Sequence, residues 1–151
     1  MASRFIGLAR MQDIGTAFYA GERSRDESRS AVIDVITEHL GCSRVSLWRF
    51  DGEPGALRLL CLASKGVGGA LVTSERSLIE AEYRDYFDAL VRTGMYVSTD
   101  AMTDARLQPM RENYLLPHGV LSMLDAAFTL NALGGSPSRP MAPIGRGPRV
   151  P

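Results

Sequence analysis

The chain has 151 residues, 45% of them hydrophobic, and a formal net charge of zero from 17 basic and 17 acidic side chains. That is room for one domain with an ordinary core, and with a pI near 6.7 there is no electrostatic footprint for nucleic acid or for an acidic membrane surface. No apolar run approaches the ~18–20 residues needed to span a bilayer and no basic segment precedes an apolar one at the N-terminus, so a cytoplasmic chain is expected. Cys42 and Cys61 do not make a disulfide framework, which agrees with a reducing compartment. Lys65 is the only lysine, a bias we attribute to the coding of the source genome.

In chain order, Phe5, Leu8, Met11, Ile14 and Phe18 recur every three or four residues and predict a narrow helical stripe, weakened by Gly7 and Gly15. It either packs on its own domain or pairs with a second subunit. Gly21 to Ser30 is charged and polar, a solvated helix surface or a linker. Ala31 to Leu40 places Val32, Val35, Ile36 and Leu40 on one face, with Gly41 where a C-terminal cap belongs. Arg44 to Phe50 reads as a strand, Val45 and Leu47 alternating against Ser46, Trp48 and Phe50. A turn over Asp51 to Gly55 leads to a second strand, Leu57 to Ser64, completing a hairpin. Gly66 to Ala70 carries three glycines but lacks both the Walker lysine and a GxGxxG turn, so it reads as a loop, not a phosphate cradle.

From Ala81 to Thr93, the residues Tyr83, Tyr86, Phe87, Leu90 and Val91 fall at helical spacing and Gly94 closes the segment. Tyr96 to Thr99 is a short β-branched run. A turn through Asp100 and Asp104 then opens a helical segment to about Leu116, stopped by Pro117 and Gly119. Val120 to Phe128, apolar apart from Ser122 and Asp125, predicts a strand covered on both faces. Beyond Leu130 the residues NALGGSPSRPMAPIGRGPRVP offer no period that could bury a face, and residues 131–151 are expected to be disordered.

The stretch Asp100-Ala101, Asp104, Arg106, Tyr114-Leu115, Pro117, Gly119-Val120 and Ser122 to Ala126, with Arg44 to Phe50 upstream, resembles a GAF domain, the sensory module of many bacterial signalling proteins. The resemblance covers residues 27–130, after an N-terminal helix and linker over residues 1–26. It implies an α/β (α+β) fold: a central antiparallel sheet flanked by helices on both faces. It also implies a homodimer through the N-terminal helix and a regulatory role, with a kinase or cyclase output not present in this chain. The family's last strands and closing helix have no counterpart, so the domain reads as truncated before its last strands. The Asp125 strand is then left with an unpaired edge, implying a marginal monomer, an edge-paired oligomer, or a product whose tail comes from a shifted reading frame.

The family's subclasses narrow the chemistry. No cysteine lies in Arg111 to His118, so a covalent bilin is not expected; the cysteine group of methionine sulfoxide reductases and the cyclic-nucleotide motif are also missing. Of His39, Cys42, Cys61 and His118, only His39 and Cys42 approach zinc-ligand spacing, and Cys61 mid-strand reads as a small hydrophobe, so no metal, cofactor or enzyme activity is expected. What remains is a noncovalent small-molecule pocket, for which Tyr86, Ser98, Asp100, Tyr114, His118, Ser122 and Asp125 are the candidate polar handles. Asp125, a carboxylate in an apolar strand, needs a partner, with Arg44, Arg49 or Arg111 as candidates. The competing readings are a ligand-free dimerisation or interaction module and a nonfunctional truncated fragment.

Overall fold

A computed structural model describes residues 2–73, 76–129 and 140–141. The elements are, in order, α1 Ala2–Tyr19, α2 Arg25–Leu40, β1 Arg44–Asp51, β2 Arg58–Gly66, β3 Ser77–Ile79, α3 Arg84–Thr93 and β4 Met95–Ser98. A 3-10 helix Ala105–Met110, a π-helical turn Arg111–Leu115, β5 Met123–Ala126, β6 Phe128–Thr129 and β7 Pro140–Met141 follow. The fold is mixed α/β. Its antiparallel sheet runs β3-β2-β1-β7-β6, and β4 pairs with β5 in a second ladder. Only Ala127 separates β5 from β6, and its amide donates to the Gly94 carbonyl at 2.8 Å, tying the two ladders together.

α2 starts earlier than its apolar stripe suggests, because the polar stretch before it is a cap. The Ser24 hydroxyl accepts from the Glu27 amide and the Glu27 carboxylate accepts from the Ser24 amide, a reciprocal capping box. Gly41, at φ 59°, ends the helix in the left-handed conformation that its sequence position implied. α1 packs on α2 through Arg10 and Glu38, which form an ion pair. Gly7 lies so close that an added Cβ would stand 2.5 Å from the His39 ring.

The sheet separates two cores. On the α2 side Ile33 and Ile36 pack on Cys42, Val45, Leu47 and Ala63. On the other side α3 delivers Tyr86, Phe87 and Leu90 against Trp48, Phe50, Leu59, Cys61, Tyr96 and Met123. A bulge sorts the residues of β2 between them: Leu47 pairs with Ala63, but Trp48 pairs with Cys61. Leu62 is the extra residue, so Ala63 crosses to the α2 side and the face alternation reverses from there on.

Several expectations are corrected. Val91 belongs to the apolar spacing of α3 yet is 55% exposed, and the helix begins at Arg84, not Ala81. β3 pairs with β2 where no strand was expected. The segment after Asp104 is not an α-helix: Pro109 lacks the amide that would bond the Ala105 carbonyl, leaving 3-10 geometry, and the Leu116 amide then reaches the Arg111 carbonyl. Val120 to Phe128 is not one strand covered on both faces. It forms β5 and the start of β6, with Met123 and Asp125 buried, Leu124 and Ala126 half-buried, and the outward Met95 and Val97 of neighbouring β4 exposed.

The expected disordered tail lies outside the described residues except for Pro140–Met141. As β7 these pair with β1 at Arg49 and with β6 at Phe128 and Thr129. This short strand neighbours β6, whereas β5, which carries Asp125, is paired with β4 alone among the described residues. Among the described residues no helix is long and apolar enough to cross a membrane.

Candidate functional site

The seven candidate residues divide into three groups. Tyr86 and Asp125 meet in the core: the Tyr86 hydroxyl donates to Asp125 Oδ2 at 2.9 Å, and both side chains are fully buried. The partner of Asp125 is therefore a phenol from α3, not one of the arginines suggested by sequence. Burial raises the Asp125 carboxyl to about 7, against the smaller opposing effect of the Tyr86 hydrogen bond. Burial first, then the Asp125 charge and hydrogen bond, push the Tyr86 phenol well above its usual range.

Ser98, Asp100 and Ser122 lie toward the β4 end. Ser98 is buried; together with the Tyr96 hydroxyl, which donates at 2.6 Å, and the Arg106 amide at 3.0 Å, it surrounds the Asp104 carboxylate. Although burial opposes it, these hydrogen bonds hold Asp104 below the usual carboxylate range. The Arg106 guanidinium lies 5.7 Å from the Tyr96 ring centre. This arrangement fixes the turn into the 3-10 helix. Asp100 is exposed at that turn, with its carbonyl accepting from Thr103, and Ser122 is half-buried before β5.

Tyr114 and His118 stand in a cleft of about 270 Å³ between the sheet and the segment after the π-helical turn. β1 contributes Arg44, Ser46 and Trp48, β2 contributes Cys61 and Ser64, and the connection to β3 contributes Val72 and Arg76. The β2 bulge is what turns Ser64 into this cleft while its neighbour Lys65 faces α2. The Ser46 and Ser64 hydroxyls are 2.8 Å apart, and Arg44 donates to Ser64 at 3.2 Å. Across from them Arg76 Nη1 donates to His118 Nε2 at 2.6 Å, and its guanidinium lies 5.4 Å from the centre of the Tyr114 ring. Tyr114 also meets Trp48 edge-on, with ring centres 6.5 Å apart.

An arginine donor fixes His118 as the neutral imidazole with its lone pair on Nε2. Desolvation, then the charges of Arg76 and Arg44, lower the His118 pKa. Burial and the nearby Asp125 charge raise Tyr114 to about 12, while Arg76 and Arg44 act in the opposite sense. Two guanidinium charges therefore reach the same imidazole and the same phenol. Among the described lining residues none is acidic.

Arg44, Ser46, Ser64 and Arg76 were not among the sequence candidates. Arg76 and His118 are 42 positions apart, and no local period brings such residues together. Cys61 and His118 share the cleft, but the His118 Nε2 lone pair is occupied by Arg76. The His39 Nδ1 lies 2.8 Å from the Val35 carbonyl and its ring lies against Gly7, while Cys42 packs in the core beneath α2. No group of three or more potential metal ligands occurs among the described residues.

No family model matches the chain, and no curated protein matches it.

Proposed function

We propose that the chain is a small-molecule-binding regulatory module of the GAF-like kind its sequence resembles, acting through its flanking helices on an output such as a histidine kinase or cyclase. The observation that carries this reading is the Trp48–Tyr114 cleft, which has apolar walls, a few convergent polar groups and a histidine with a perturbed pKa. The cleft has a mechanical route to the helices. Ser64 lines it, while the next residue, Lys65, crosses the sheet to bond Asp34 at 2.7 Å and Ser30 at 3.2 Å on α2. α2 in turn holds α1 through Glu38 and His39. A ligand that shifts Ser64 shifts the α2–α1 pair through this connection.

Native mass spectrometry with a thermal melt of the same sample tests the reading. A folded species that keeps a discrete small mass under gentle conditions and loses it on activation is expected. A ligand at a hundred times its Kd adds about 2.7 kcal/mol to the stability. A chain with no cooperative transition overturns the reading in favour of a nonfunctional fragment.

A second reading, a ligand-free dimerisation module, is favoured by α1, where Leu8 and Ile6 are 59% and 57% exposed and Tyr19 is 89% exposed after packing on α2. Under that reading Leu8→Glu abolishes a dimer seen by sedimentation and leaves the melt unchanged.

A further inference from the structure

We infer that the cleft takes a small organic oxyanion with a flat apolar body, its head group held between Arg44 and Arg76 and its body against Trp48 and Tyr114. The inference rests on the small-molecule reading above and adds the class of ligand. Three observations carry it.

The first is charge placed from two sides. Arg44 enters from the start of β1 and Arg76 from the approach to β3, and they line one cleft from separate elements of the chain. Guanidinium groups offer forked donors suited to a carboxylate or phosphate. Two of them beside a partly desolvated site favour a negative charge there over a neutral group.

The second is that the other polar groups can complete such a head-group site. The paired Ser46 and Ser64 hydroxyls are donors or acceptors by rotation. His118, held neutral by the Arg76 hydrogen bond, adds no competing negative charge and keeps an N–H at Nδ1.

The third is size and wall chemistry. At about 270 Å³ the cleft lies just below the ~300–1,000 Å³ of drug-sized sites, which suits a single ring with one anionic substituent rather than a nucleotide. Trp48 and Tyr114, packed edge-on against each other, supply an aromatic wall for that ring.

Trp48 is the only tryptophan of the sequence, so its indole N–H gives one assignable resonance from a residue that lines the cleft. The full chain, labelled with nitrogen-15, is titrated near neutral pH with benzoate, phenyl phosphate and the neutral benzamide. At least one oxyanion shifts the indole resonance saturably and binds ~10-fold or more tighter than benzamide; the tighter of the two identifies the head group. Arg76→Met, at an exposed position, weakens that oxyanion about tenfold and leaves benzamide unchanged, as does Arg44→Met where it folds.

Equal binding of benzamide and the oxyanions, or an Arg76→Met chain that binds them as the parent does, overturns the oxyanion class and leaves the small-molecule reading standing. A folded chain whose indole resonance responds to none of these probes, nor to a wider set of neutral and cationic fragments, overturns both.

Discussion

The two faces of the sheet are built from different materials. Under α2 the core is small and aliphatic: Ile33, Ile36, Val45, Leu47 and Ala63, closed by a capped helix and a glycine contact. Under α3 and the irregular turns it is aromatic, with three tyrosines, two phenylalanines and the tryptophan among its members and Tyr114 packed against them. The buried Asp125, the partly buried Asp104 and the arginine-lined cleft also lie on that side. Aliphatic packing needs no partners and gives a stiff platform, whereas tyrosine hydroxyls and buried carboxylates need hydrogen bonds and leave irregular space. One face therefore holds the shape while the other supplies the chemistry.

The most damaging way to test that division is to empty the aromatic side. Phe87, with no measurable exposure, meets Phe50 and Tyr86 edge-on. Phe87→Ala is expected to cost about 3–5 kcal/mol by urea denaturation, and a loss below 1 kcal/mol would mean that this side is not a packed core.

Titration separates the faces next. Folded Asp125 holds its proton up to a pKa of about 7, whereas an unfolded aspartate releases it near ~3.9. Its contribution to stability is full below about pH 4, falls by about 1.4 kcal/mol per unit up to about pH 7, and is flat above. The total is roughly 4 kcal/mol, and Asp125→Asn removes the slope. Glu27 and Glu38 on the helical side behave oppositely. Hydrogen bonds from Ser24 and Arg10, respectively, lower their pKa values, so their contribution is present above ~4.5 and lost as the pH falls. Both are exposed, so that acid limb is shallow and salt-sensitive. Urea midpoints across the pH range check both limbs, and parallel profiles for the parent and Asp125→Asn contradict the assignment.

The smallest effect belongs to the helical platform. Ser24→Ala removes one half of the capping box and is expected to cost about 1 kcal/mol. Amide exchange should rise in the first turn of α2 without change at Tyr86 or Leu90.

How much of this was legible in the sequence follows the same division. α2 and its Gly41 cap, β1, and the buried stripe of α3 follow from local periodicity, and the structure holds them near the expected places. Asp125 was legible as a carboxylate needing a partner, but the choice of Tyr86 depends on how α3 crosses β5. Tyr114 and His118 reach the cleft; in the sequence Arg44 reads only as a partner for Asp125, and Ser46, Ser64 and Arg76 do not read as site residues. Ser64 reads as an ordinary strand residue until the Leu62 bulge reverses the alternation, a backbone event with no local signature here. Val91 misled in the other direction, since its spacing fits the stripe but its direction points past the edge of the core.

The placement of the two cysteines has a kinetic consequence. Cys42 is sealed beneath α2 and Cys61 stands at the cleft wall, so each layer carries its own buried thiol. Alkylation of Cys42 keeps time for the lifting of the helical layer, and alkylation of Cys61 for the breathing of the cleft. A molecule seated against Trp48 would slow the second clock while leaving the first to run, unless the strand between Ser64 and Lys65 carries the change through the sheet.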